Sequence, residues 1–149
     1  MLEPGERFPN FSLLDQDDEL VTLSDLKGAP AVIYFYPKDD TPGCTAEACE
    51  FQERLSDIPG ARVLGVSPDS TASHRKFRAK FGLKFSLLAD TKRELIEGAE
   101  LWVEKKLYGK PYMGVDRTTV LLDADGVVQR VWRKVNPKGH ADEVLAALQ

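Results

Sequence analysis

Six consecutive residues, Ala31-Val32-Ile33-Tyr34-Phe35-Tyr36, carry no charge and stand between Pro30 and Pro37. Successive side chains of a strand point to opposite faces, so a run this short and uniformly apolar is a strand covered on both sides. Such a strand belongs inside a sheet that is packed between other elements. The chain is therefore expected to form a layered α/β fold with residues 31–36 near the sheet's centre.

The segments on either side extend this reading. Between residues 44 and 58, Cys44, Ala48, Phe51, Leu55 and Ile58 recur at spacings of four, three, four and three, the stripe of an amphipathic helix, with Glu47, Glu50, Glu53 and Arg54 mostly off it. Residues 62–67 then read as a second strand, so strand, helix and strand form a crossover unit with parallel pairing. A helix is expected near 71–81, a strand at 85–88, and a helix from about Thr91, where Thr91 and Glu94 match a capping box. Residues 118–123 and 127–132 flank an Asp-Gly turn signal and form a hairpin, and a short helix closes the chain near 140–148. Residues 11–14 and 20–23 flank a polar turn and form an N-terminal hairpin. With no repeat, low-complexity stretch or long charge block, residues 1–149 read as a single domain, an α/β sandwich with a mixed sheet.

Charge and hydropathy exclude some classes of function. A net charge of −4 argues against a nucleic-acid partner, whose phosphates call for clustered Lys and Arg. The first residues contain no apolar stretch suited to a signal peptide, and no run approaches the ~20 residues that a bilayer span requires. A cytoplasmic protein without a membrane partner is expected. Two cysteines in that compartment are poor candidates for a permanent staple, because cellular thiol buffers keep such pairs reduced unless they cycle.

Cys44 lies where the central strand gives way to the first helix, the end of an open α/β sheet at which ligands bind. Thr41 suits the N-cap and Pro42 the first helical position, which places Cys44 at the third. Unpaired amides and the helix dipole favour an anion there, and the reactive form of cysteine is one. From position alone Cys44 is equally a small buried hydrophobe on the helix stripe. Asp39, Asp40, Glu47 and Glu50 would each oppose a nearby thiolate, so a cation from elsewhere is required. Lys38, Arg75, Arg78, Arg93, Arg117, Arg130 and Arg133 are available, and spacing does not choose among them. His74 and His140 read as solvated surface residues, and neither they nor the cysteines show metal-ligand spacing. Trp102 and Trp132 read as core or edge packing.

The stretch from Tyr34 to Ala48, with Pro37, Thr41 and Cys44 in the pattern Pro-x-x-x-Thr-x-x-Cys, resembles the peroxiredoxins, specifically the Q-type or bacterioferritin comigratory group. The segment Tyr108-Gly109-Lys110-Pro111-Tyr112-Met113-Gly114 followed by Asp116-Arg117-Thr118 is similar to the family's region bearing the active-site arginine, and the resemblance covers nearly the whole chain. It implies a thioredoxin-like fold and a thiol peroxidase that needs no cofactor. In that reading Cys44 attacks the hydroperoxide, Thr41 and Arg117 stabilise the departing oxygen, backbone amides near Gly43 assist, and Pro37 shields the site. The resemblance also makes Cys49 the resolving thiol, forming a disulfide with Cys44 that thioredoxin or a similar dithiol reduces, in a monomer. The competing readings are a thiol–disulfide oxidoreductase of thioredoxin class, against which the missing C-x-x-C speaks, and a non-enzymatic redox sensor.

Overall fold

The computed structural model describes residues 2–55, 60 and 62–148. Its centre is a seven-stranded sheet in the order β2-β1-β5-β4-β3-β8-β9. β3 (Ala31–Phe35) pairs parallel with β4 (Arg62–Ser67) on one side and antiparallel with β8 (Thr118–Leu122) on the other. β4 pairs parallel with β5 (Ser86–Ala89), and β9 (Val128–Arg133) closes one edge against β8. The sheet is thus mixed, with the apolar run at its middle. The N-terminal hairpin of β1 (Ser12–Leu14) and β2 (Leu20–Thr22) forms the other edge. Its turn contains no glycine; Asp18 takes the left-handed conformation at φ 61°, and the Asp15 carboxylate accepts from the amides of Asp17 and Glu19.

Alternation along β3 divides the core. Ala31, Ile33 and Phe35 face one layer, where Phe8, Phe11 and Leu26 pack with Leu95 and Ile96 of α3 (Glu94–Gly98). Val32 and Tyr34 face the other, with Ala48 and Phe51 of α1 (Pro42–Leu55), Phe77 of α2 (Thr71–Phe81) and Val144 of α4 (His140–Leu148). Every β3 residue is buried, the physical reason that its sequence shows no polar alternation. On the second face the Tyr34 ring stacks on Phe51 at 4.7 Å and on Tyr36 at 5.3 Å. Gly65 of β4 makes room for both tyrosines: a Cβ there would lie 3.0 Å from each ring and 2.9 Å from Leu87.

Three expectations need correction. The capping box at Thr91 does not form: α3 starts at Glu94 after Arg93 in a left-handed conformation, and the upstream Asp90 carboxylate, buried, accepts from the Ile96 amide at 2.8 Å. Asp90 serves as the cap, so Thr91 remains in the preceding turn. Neither histidine is solvated; both are buried by partners distant in sequence. Glu47, placed off the stripe by the sequence, is 1% exposed, since it stands one helical turn from Cys44 on the same side. Trp132 lies in the core layer beside α1, and Trp102 packs against the opposite layer with the Arg93 guanidinium 4.3 Å from its ring, as expected of packing residues. Ile58 of the predicted stripe lies outside the described residues. A two-stranded antiparallel hairpin, β6 (Trp102–Leu107) with β7 (Lys110–Val115), is an addition to the expected elements. Among the described residues, no helix is long and apolar enough to cross a membrane.

Candidate active site around Cys44

The sheet register explains how residues 73 positions apart meet. Phe35, the last residue of β3, pairs with Thr118, the first of β8, because the two strands run in opposite directions. Arg117 therefore stands one residue beyond the end of β3, where the chain turns into α1. Its carbonyl accepts from the Val135 amide at 3.0 Å, which fixes the backbone there. The guanidinium reaches over the first turn of α1, with Nη2 donating to Cys44 Sγ at 2.9 Å and Nη1 to Glu47 Oε1 at 2.9 Å. One planar fork thus spans a sulfur and a carboxylate, a geometry that lysine does not offer. Cys44 is 1% exposed.

The absence of a side chain at Gly43 belongs to the same arrangement. A Cβ at that position would sit 3.1 Å from Arg117 Nη2 and 3.4 Å from Pro137 Cγ. Pro42 opens the helix, as its fixed φ and missing N–H allow, and the Thr41 carbonyl accepts from the Thr45 amide at 2.8 Å. The Thr41 hydroxyl donates to the Lys38 carbonyl at 2.9 Å, leaving its oxygen lone pairs available as acceptors. Pro37 is partly buried at the end of the central strand. Thr41, Gly43, Cys44 and Arg117 are therefore brought together at one end of the sheet. Cys49 sits further along the same continuous helix, half-buried, and both cysteines are free.

Of the candidate cations, Arg117 alone among the arginines donates to Cys44. Arg75 binds Gln16 and Asp18, Arg78 the carbonyls of Lys84 and Phe85, and Arg133 the carbonyl of Leu2, while Arg93 and Arg130 lie over Trp102 and Trp132. The four acidic residues expected to oppose a thiolate are each partnered. Glu47 meets Arg117, Asp40 meets Lys80 at 2.8 Å, Glu50 accepts from the Gly139 amide at 2.9 Å, and Asp39 turns away from Cys44 into a buried cluster with His74. His140 is likewise internal: Nε2 lies 2.8 Å from Thr119 Oγ1, and burial lowers its pKa.

Burial raises the Glu47 carboxyl from an ordinary 4.5 to about 7, against the pull of Arg117. Near neutral pH the guanidinium is thus shared between the sulfur and a partner that is itself close to protonation. The linkage has a definite sign. The native state holds this proton after the unfolded chain has released it, so the contribution to stability is complete below pH 4.5 and is lost as the pH rises to about 7. At ~1.4 kcal/mol per pKa unit, the loss is on the order of 3 kcal/mol. Urea unfolding at pH 4.5 and 8 should show Glu47→Gln losing less stability over that interval than the parent, by roughly this amount. Parallel pH profiles would mean that the buried carboxyl does not hold its proton.

Residues 4–131 match the AhpC/TSA family. The chain is 44% identical over 149 residues to the putative peroxiredoxin bcp of Coxiella burnetii, covering 99% of each. It is 45% identical over 150 residues to peroxiredoxin Bcp of Bacillus subtilis, covering 99% of this chain and 96% of the other. Among solved structures it is similar to the bacterioferritin comigratory protein of Xanthomonas campestris, described in trapped intermediate and ligand complexes that bear on that protein's alkyl peroxide reduction. The TM-score is 0.89 at 42% identity, covering 98% and 97% of the two chains.

Proposed function

We propose, for a chain that belongs to the AhpC/TSA family as a Q-type peroxiredoxin and is thereby a thiol-dependent peroxidase, that Cys44 is the peroxidatic thiol and Arg117 its partner in cleaving the O–O bond. The 2.9 Å contact between Arg117 Nη2 and Cys44 Sγ carries this reading. The Cys44 thiolate attacks one oxygen of the hydroperoxide, the O–O bond breaks, and the other oxygen leaves with the electron pair and takes up a proton as water or alcohol. Cys44 becomes a sulfenic acid. Negative charge grows on the departing oxygen, so donors already aimed at that place stabilise the transition state more than the ground state. Arg117 supplies a permanent charge, the Thr41 hydroxyl, its hydrogen given to the Lys38 carbonyl, accepts from the peroxide, and the amides near Gly43 contribute further. Pro37 keeps water from the approach.

Cys49 then attacks the sulfenic sulfur, expelling water and forming the disulfide. A dithiol such as thioredoxin restores both thiols by exchange. Five residues of helix separate the two sulfurs' backbones by a rise of ~7.5 Å and a turn of ~140°. A disulfide tolerates Cα atoms at most about 7 Å apart, so the first turns of α1 unwind to bring Cys44 across. With both cysteines in one chain the cycle needs no second subunit, which supports a monomer, and a thiol pair that cycles suits the reducing cytoplasm.

The test is a single mixing of the reduced protein with hydrogen peroxide. Stopped-flow oxidation followed by peptide mass analysis should find one internal bond, Cys44 to Cys49, and faster amide exchange across residues 42–52 than in the reduced form. Cys49→Ser should complete one turnover at the parental rate, stop at the sulfenic acid, and fail to recycle with a dithiol. Sustained recycling by that variant would mean that another thiol resolves the intermediate.

A further inference from the structure

Asp39 lies between the last residues of the central strand and Thr41, yet its side chain takes no part in the contacts around Cys44. It is buried, and so are Tyr36 and His74 beside it. Asp39 Oδ1 accepts from the Tyr36 hydroxyl at 2.5 Å, and Oδ2 accepts from the Ser73 hydroxyl at 2.8 Å and lies 2.7 Å from His74 Nδ1. The far nitrogen of the ring, Nε2, faces the Leu88 carbonyl at 3.0 Å. A carbonyl only accepts, so Nε2 carries a hydrogen. The Nδ1 and Oδ2 lone pairs would otherwise confront each other, so a proton also lies between them. Both oxygens of the Asp39 carboxyl are thus engaged, by the Tyr36 and Ser73 hydroxyls and the His74 ring.

The backbone of the same residue is held as well. Its amide donates to Asp69 Oδ2 at 2.8 Å, and that oxygen also accepts from the Ser67 hydroxyl at 2.7 Å. Asp40, next in sequence, is in the left-handed conformation at φ 56° and pairs with Lys80 of α2. The ties made by residues 36, 39 and 40 thus lead to β4, to the turn after it, and to α2. Among the described residues, none of these hydrogen bonds leads to α1, the helix that the redox cycle would unwind, although the Tyr36 ring packs in the same apolar layer as α1. The loop bearing Thr41 is therefore held from β4 and α2 in addition to its own junction with α1.

We propose that Asp39, acting through His74, Ser73 and Tyr36, is a positioning residue of the peroxidase reaction, holding loop 37–41 so that Pro37 and the Thr41 hydroxyl meet the hydroperoxide in a fixed place. The proposal rests on the peroxidase reading above. A hydroxyl displaced by an ångström loses its contact with the transition state, whereas the nucleophilicity of the sulfur depends on Arg117 and the helix end. Removing the tether should slow attack on peroxide without slowing reactions of the same sulfur that need no help from Thr41.

Asp39→Asn keeps the shape of the side chain but gives it a donor where donors already converge. Tyr36→Phe deletes a single hydroxyl from the buried polar cluster and leaves Asp39 Oδ1 without that donor. Reduced Asp39→Asn should oxidise with hydrogen peroxide at least tenfold more slowly than the parent, and Tyr36→Phe about threefold more slowly. Alkylation of Cys44 by iodoacetamide should not slow in either variant. A parental peroxide rate in folded Asp39→Asn, or alkylation falling in step with peroxide oxidation, would overturn the positioning role. If Asp39→Asn does not fold, Tyr36→Phe decides on the same two rates, and a parental peroxide rate there overturns the role. The parent itself is the control: failure to consume peroxide would defeat the peroxidase reading, whereas a fast parent with equally fast variants defeats only the positioning of the loop.

Discussion

Cys44→Ser is expected to reduce peroxide consumption to the uncatalysed background. A serine hydroxyl at the same position stays protonated and is a far weaker nucleophile towards oxygen, so the guanidinium and the helix end would have no anion to present. Cys49 offers no substitute. It lies in the helix interior, without an arginine donating to it, and burial with Glu53 nearby raises its pKa. Peroxide loss is followed by a colorimetric assay with an excess of dithiol, beside the parent and Cys49→Ser. Consumption by Cys44→Ser at the parent's rate would remove the basis of the whole assignment.

Arg117→Ala should slow oxidation of Cys44 by about 10²–10³, the usual cost of deleting one fixed donor from a charge-stabilising site. Ionisation of the thiol does not account for a loss of that size. A free thiol of pKa ~8.5 is already about 3% ionised at pH 7, so complete ionisation is worth only about thirtyfold. The excess is assigned to the oxygen that leaves. Stopped-flow rates should be compared at pH 7 and at a pH high enough to ionise any thiol. A deficit that persists at high pH identifies stabilisation of the departing oxygen, and a deficit that vanishes there confines Arg117 to holding the thiolate. Arg117→Lys should recover only part of the rate. Its ammonium is a single point of charge, and the native fork reaches Cys44 and Glu47 together.

The elements legible in the sequence were those whose signals are local. The central strand is apolar without alternation because both of its faces are buried, and the helix over 71–81 is bounded by the Ser70 cap and by Gly82 in a left-handed conformation. The β6–β7 hairpin was not legible, since Leu107, Tyr108, Tyr112 and Met113 are exposed and supply apolar residues without a buried face. At the site, the strand-to-helix junction pointed to Cys44, but no spacing singled out Arg117. That choice came from family resemblance, and its geometric cause is a strand register spanning most of the chain. Glu47 and His74 were misread for the same reason. An acid or a histidine looks solvated until its partner is known, and these partners lie 35 to 70 positions away.

The downstream half of α1 is fastened differently from its start. Glu50 accepts from the Gly139 amide, and Arg54 meets Asp142 at 2.9 Å, so both hold to the segment that begins α4. For the unwinding proposed above, these two contacts, one and five residues past Cys49, supply a stop. The proposed rearrangement would thereby be kept short, with the chain re-forming against a scaffold that had not let go.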